Sequence, residues 1–298
     1  MKLLRKRLTS RVRLYQNTLI AILFAGSVVQ SGAQIYTLAI RDTSLQFNLA
    51  GGLSNWTIDG VNQLNQQWFY YSVGSGPVYS IDTIAPWSTP TLSTNLGKTQ
   101  ITLNEIYSGS AISVGTKYVL AGGVLGSGQA TLSQTLTISN PSSISQVFHF
   151  YQYSDFDLGG VSGGQNIAFS SNGSGLYYQV VQTSLAGQTL NGSVSGVNGG
   201  SNTVSEVQAG LWDGTQFGLG NGNPAPLLNN TLTAGPGNVD YAYEWDATLA
   251  PGGSIIISEI QTVVPEPSSV ALVASGMFAL ALLYRRRQDG QLKGHSCK

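Results

Sequence analysis

The sequence predicts a mainly β protein: an antiparallel β-sandwich ectodomain, with an N-terminal signal-peptide helix and a C-terminal transmembrane helix. Three observations carry this expectation. Charged residues are only 9% of the 298-residue chain, against roughly a quarter in an ordinary soluble domain, so the exposed helix faces of a bundle would lack their Glu, Lys and Arg. Apolar residues still make up 42%, and there are 37 glycines. That is enough for a core and many tight turns, and too apolar for a disordered chain. Along the middle of the chain, apolar residues recur at every second position, the period of a half-buried strand.

The alternation is clear in several runs. At 130–138, Ala130, Leu132, Leu136 and Ile138 share one face, with Gln134 the exception, while Thr131, Ser133, Thr135 and Thr137 take the other. Asn140-Pro141-Ser142-Ser143 turns the chain. In the next run Phe148 and Phe150 oppose His149, Tyr151 and Tyr153. Val239, Tyr241, Tyr243 and Trp245 then alternate with Asp240, Ala242, Glu244 and Asp246, which predicts a half-buried strand with an acidic outer face. Pro251-Gly252-Gly253 turns into a closing strand at 254–263. Further strands are expected at 35–40, 44–49, 66–73, 77–83, 99–107, 111–121, 165–170, 175–183, 188–195 and 203–212. The Gly- and Asn-rich stretches 184–202 and 218–238 read as long loops. No capped helical period occurs between 35 and 262, so one domain of two packed sheets is expected.

The neutral formal charge conceals a strong asymmetry. Lys2, Arg5, Lys6, Arg7, Arg11 and Arg13 open the chain, and Arg285, Arg286, Arg287, Lys293 and Lys298 close it. Between them lie three cations, Arg41, Lys98 and Lys117, and thirteen acids, a net charge of −10. Such a domain has no cationic surface for phosphates, which excludes a nucleic-acid partner.

The basic ends read as topology signals. Residues 1–17 contain no acid, Thr18 to Val29 is apolar, and Ser31-Gly32-Ala33 offers small residues for cleavage between Ala33 and Gln34. This is the pattern of a signal peptide over 1–33, with an uncleaved signal anchor as the rival reading. The exported domain then spans 34–262. A linker at 263–267 holds Pro265-Glu266-Pro267, followed by the uncharged run Ser268 to Tyr284 and a basic cytoplasmic tail over 285–298. Seventeen helical residues span about 25 Å, the short end of a membrane helix. Arg285, Arg286 and Arg287 keep their end cytoplasmic.

This C-terminal arrangement resembles the PEP-CTERM sorting signal of Gram-negative bacteria. The resemblance covers Pro265 to Arg287, with motif, apolar segment and arginine cluster in order. It implies an exosortase as partner, a membrane-embedded transpeptidase that cleaves near the motif. It also implies passage through the inner membrane to the cell surface or an exopolysaccharide matrix. An ordinary anchor with a proline-rich stalk is the alternative. Asp59 to Leu64, Gln67 to Tyr71, Tyr153 to Gly160, and Glu244 to Asp246 ahead of Leu249 to Gly252 resemble one recurrent type of ectodomain carrying this signal. That similarity implies no activity.

Cysteine and histidine usage excludes much chemistry. Cys297 is the only cysteine and lies in the tail with His295, leaving His149 as the exported domain's one histidine. A disulfide framework, a thiolate nucleophile and a zinc site built from several His residues are therefore excluded. Asp155 and Asp157, just before Gly159-Gly160, are the candidate Ca²⁺ ligands, the other reading being a strand cap bonded to turn N–H groups. Asp240, Glu244 and Asp246 form a second acidic stripe. Trp56, Trp68, Phe69, Tyr70, Tyr71 and Trp87 read as core, with a sugar-stacking platform as the alternative. The expected function is a non-enzymatic exported surface or matrix protein with no cofactor. The alternatives are a carbohydrate- or calcium-dependent binding module and, behind it, a glycoside hydrolase using paired carboxylates.

Overall fold

The computed structural model describes residues 34–171, 177–197, 204–212, 216–220 and 228–266, together with Met277. Contacts divide the chain between Gln34 and Ile35, and the fold is that of the part from Ile35 onward. In chain order the first strands are β1 (Ile35–Ile40), β2 (Thr43–Asn48), β3 (Gly52–Ile58), β4 (Val61–Asn62), β5 (Gln66–Val73) and β6 (Tyr79–Ser80). Next come β7 (Thr91–Thr94), β8 (Gln100–Ser108), β9 (Ser113–Gly122), β10 (Ala130–Ser139), β11 (Gln146–Asp155) and β12 (Gln165–Ser171). The last six are β13 (Tyr177–Thr183), β14 (Gln188–Val197), β15 (Glu206–Leu211), β16 (Thr233–Gly237), β17 (Val239–Leu249) and β18 (Ser254–Pro265).

All strand pairs are antiparallel and fall into two sheets. The first runs β1-β2-β3-β5-β11-β17-β15, with β4 beside β3 and β6 beside β5. The second runs β16-β12-β13-β14-β18-β10-β9-β8-β7. The expected mainly β sandwich is the observed architecture. Short 3₁₀ turns at Ile81–Thr83, Leu158–Gly160 and Gln216–Gly218 are the helical elements of the domain among the described residues.

The sheets pack face to face through the apolar side of each alternation. Leu132, Leu136 and Ile138 of β10 and Ile255, Ile257 and Val263 of β18 are buried in one continuous core with Phe148 and Phe150 of β11 and Tyr241, Tyr243 and Trp245 of β17. Phe47 of the first sheet meets Tyr118 of the second at 5.5 Å between ring centroids. β5 is buried on both sides at Trp68, Phe69 and Tyr70, as its unbroken aromatic run predicts.

Gln134, the exception in β10, points inward and explains itself there. Its Nε2 donates to Gln67 Oε1 at 3.2 Å, Glu259 Oε2 at 3.0 Å and Gln261 Oε1 at 3.1 Å. Gln152 adds a 2.6 Å bond to Glu259 Oε2. A polar knot thus sits inside the apolar core, where its donors converge on the Glu259 carboxylate, while Gln67 Nε2, Gln134 Oε1 and Gln152 Oε1 stay unpaired.

Three sequence expectations change. β17 is buried on both faces from Val239 to Trp245, so its acidic side is covered at Asp240 and Glu244 and faces water only at Asp246. The segment 77–83 holds the two-residue β6 and a 3₁₀ turn, where a full strand was expected. Residues 263–265, expected in the linker, are the last rungs of β18, because Gln188 of β14 offers a partner for Pro265 and Ala130 of β10 one for Val263. Among the described residues, no helix is long and apolar enough to cross a membrane.

Candidate functional site

Two places in the domain combine position with chemistry. The first is its C-terminal exit. β18 lies in the middle of the second sheet, between β14 and β10. It runs to Pro265, where the proline supplies no N–H and pairing stops. The Glu266 N–H then donates to Gly187 O at 2.7 Å, and its carboxylate accepts the Thr189 hydroxyl at 3.2 Å. Pro265 packs on Gly128, where a Cβ would come within 2.7 Å of the proline ring. Two residues of the Pro-Glu-Pro motif are therefore fastened to the sheet, although the Glu266 side chain remains exposed as expected. Pro267, the run 268–284 apart from Met277, Arg285, Arg286, Arg287, the tail 285–298, the signal peptide 1–33 and Ala33 lie outside the described residues. Gln34 is described and exposed.

The second place is the face of the first sheet turned away from the second. Strand register sets His149 of β11 opposite Asp246 of β17, and Tyr151 opposite Glu244. Glu206 of β15 lies opposite Glu244 on its other side. His149 Nδ1 is 2.5 Å from Asp246 Oδ1 and 3.6 Å from Glu244 Oε1. One ligand atom from each of these three residues lies within 4.8 Å of the others, a grouping that can hold a metal ion through one nitrogen and two carboxylates.

Burial differs sharply across this cluster. Glu244 is 1% exposed while Asp246 is 43% exposed. The cover over Glu244 includes Leu228, whose N–H donates to Glu244 Oε2 at 3.4 Å. Phe217 adds to it on the neighbouring Tyr153, at 6.1 Å between ring centroids. Desolvation pushes the Glu244 carboxyl up to about 7, and the negative charges of Asp246 and Glu206 add to the push. Burial raises Glu206 as well, with Asp246 contributing. The expected acidic stripe is thus split. Glu244 and Asp246 meet His149, whereas Asp240 accepts the Tyr153 hydroxyl at 3.0 Å further along the strand.

Asp155 and Asp157 occupy the end of β11 and the residue before the 3₁₀ turn at Leu158–Gly160. Asp155 is buried and its Oδ2 accepts Asn65 Nδ2 at 2.7 Å. Burial pushes it up to about 6, Asn65 opposes that, and the charge of Asp157 adds to it. Asp157 makes no side-chain cap bond to the turn. Among the described residues, the three-ligand grouping forms at His149, Glu244 and Asp246, and this pair joins no such grouping. Trp56, Trp68, Phe69 and Tyr70 are buried, while Tyr71 and Trp87 pack half-buried against the core.

The fold defined by these two sheets is shared with solved carbohydrate-active and mutarotase-like proteins. A bacterial glucoamylase complexed with acarbose aligns at a TM-score of 0.50 and 11% identity, over 85% of this chain and 36% of that one. The chain thus spans about a third of that glucoamylase. A galactose mutarotase-like protein from Clostridium acetobutylicum aligns at a TM-score of 0.50 and 8% identity, over 77% of this chain and 94% of the other. At these identities the likeness is one of fold. No curated protein matches the sequence. A family model of the PEP-CTERM protein-sorting motif matches residues 263–287, so the chain carries that motif where its last strand leaves the sheet.

Proposed function

We propose that this chain is an exported, non-enzymatic surface or matrix protein. The run 268–284 holds it in the inner membrane, and an exosortase-type transpeptidase processes it at Pro265-Glu266-Pro267. The observation that carries this reading is the sorting-motif match over 263–287. The motif directly follows a folded β-domain, and basic blocks sit at both ends of the chain. Cations beside an apolar segment resist translocation, which supports placing Arg285, Arg286 and Arg287 in the cytoplasm and the domain outside. The test replaces Pro265, Glu266 and Pro267 with alanine in the full-length chain. The expected result is unprocessed protein retained in the inner membrane. Release of the domain at the wild-type level would overturn the proposal.

A second reading, a carbohydrate- or divalent-cation-binding module, is favoured by the half-open cluster of His149, Glu244 and Asp246. Glycan-array binding of the full-length chain, with and without Ca²⁺, tests it. Binding that disappears in Asp246→Asn would support this role. Identical profiles for wild type and variant would remove it.

A further inference from the structure

The loops around the chain exit lie at one pole of the sandwich and carry a concentration of exposed apolar side chains. The end of β18 fixes that pole, and contacts place the other segments beside it. Gly128 lies on Pro265, and Gly164 packs against Leu185. Gly187 accepts the N–H of Glu266. Asp59 accepts the N–H groups of Gly126 at 2.7 Å and Gly128 at 2.8 Å. The β7–β8 turn belongs here because Gln100 pairs with Ala121 near the end of β9. The end of β15 does too, because Leu211 pairs with Val239 at the start of β17, beside the end of β11.

On these segments Leu96, Val124, Leu125, Val161, Leu185 and Trp212 are all exposed, Leu125 at 87% and Leu185 at 86%. Single exposed apolar residues need no explanation, but a set gathered around one exit does. Charge follows the same geography. Of the three cations between the terminal basic blocks, Arg41 and Lys98 are exposed on turns at this pole. Arg41 is anchored there through a 3.5 Å bond from Nη1 to Gly122 O. Most acids nearby are engaged: Asp42 is buried, Asp155 accepts the Asn65 amide, Asp59 holds two backbone N–H groups, and Glu266 takes the Thr189 hydroxyl, while Asp157 is half-buried with one carboxylate oxygen unpaired.

Chain length supplies the partner. Ser268, the first residue of the apolar run, lies two residues beyond Glu266. Two extended residues reach about 7 Å. With 268–284 in a bilayer, this pole has to rest among the headgroups.

We infer that the pole is a membrane-seating surface whose partner is the phospholipid bilayer itself. The apolar loop tips enter the interfacial zone, and Arg41 and Lys98 face lipid phosphates. This rests on the reading of 268–284 as the membrane segment. It adds that the domain docks on the bilayer in one orientation and does not sway on a tether.

The test uses the full-length chain with Cys297→Ser, reconstituted in vesicles of phosphatidylethanolamine and phosphatidylglycerol. Single cysteines at Leu125→Cys, Leu185→Cys, Ile144→Cys and Met277→Cys carry an environment-sensitive fluorophore, and nitroxide lipids serve as quenchers. Ile144 is 66% exposed and lies on the loop after Ser139, which pairs with Ser254 at the opposite pole, so it controls for apolar exposure alone. The expected result is a blue shift and lipid quenching at positions 125, 185 and 277, and neither at 144. Quenching at 277 without quenching at 125 and 185 would overturn the seating surface and leave the anchor intact. No quenching at 277 would overturn both. A blue shift at 125 and 185 without lipid quenching would assign the pole to protein contact, again overturning the proposal.

Discussion

Gln152 of β11 donates its side-chain amide to Glu259 Oε2 of β18 across 2.6 Å, joining the two sheets at the middle of the core. Glu259 is 1% exposed, and burial pushes its carboxyl up to about 7 despite the amide donors around it, which favour the ionised form. The sandwich therefore holds a carboxyl in its interior that resists losing its proton.

The consequence is an unusual pH dependence. Burial likewise pushes Glu105 and Glu244 up to about 7 and Asp155 up to about 6. Each folded-state value lies above that of the unfolded chain, so the native state keeps protons that the unfolded chain has released. Stability is then fully present below the ordinary carboxylate range and is lost as pH rises through about 6 to 7. The thermal midpoint should fall between about pH 5 and about pH 8. A midpoint that rises over this interval would contradict the assignment.

Glu259→Gln should remove part of that slope. The neutral amide carries no ionisation penalty, and the partnerless Gln134 Oε1 and Gln152 Oε1 are available to new donors. At the alkaline side of the transition the variant is expected to gain roughly 1–3 kcal/mol over wild type, and at acidic pH little. Denaturant unfolding at both pH values measures the difference.

Gly52→Ala should be strongly destabilising. Gly52 has φ of 79°, and a Cβ there would collide with the Trp68 ring and the Gln67 carbonyl oxygen. The cost combines a left-handed backbone with overpacking in the core, roughly 2–4 kcal/mol. Gly60, with φ of 82° and open space around it, is the control. Its alanine variant carries the backbone strain without the collision, so the smaller loss belongs to Gly60→Ala in chemical denaturation.

Asp59→Ala should loosen the β9–β10 loop. The substitution strips the acceptors from the N–H groups of Gly126 and Gly128. Losing two hydrogen bonds to a charged group costs about 1–3 kcal/mol. Limited proteolysis should then cut first between Gly123 and Gln129, and an unchanged cleavage map would disprove the clasp.

The sequence revealed the fold where alternation is regular and hid it where another interaction sets the strand. β5, β10, β11 and β18 follow directly from their patterns. β3 does not, because Asn55 has φ of 48° and the β2–β3 register shifts beside it, which breaks the period. β7 reads Thr-Leu-Ser-Thr and is exposed throughout, so no apolar alternation marks it. β16 runs through a stretch that looks like a Gly- and Asn-rich loop, because β12 beside it supplies its ladder, whereas β14 lies where a strand at 188–195 is expected. The site was half legible. Alternation puts His149 on one face of its strand and Asp246 on one face of another, but only cross-strand register unites residues 97 apart. The Leu228 N–H that reaches Glu244 lies inside a stretch whose composition suggests nothing but loop.

The sorting motif continues an interior strand, and that has a mechanical meaning. β18 is paired along ten residues to β10 on one side and ten to β14 on the other. A tug delivered through Glu266 pulls lengthwise on this strand, so the ladders on both flanks resist together in shear. An edge strand in the same role would unzip rung by rung. Whatever grips the chain beyond this point, lipid or enzyme, pulls against the stiffest direction of the domain.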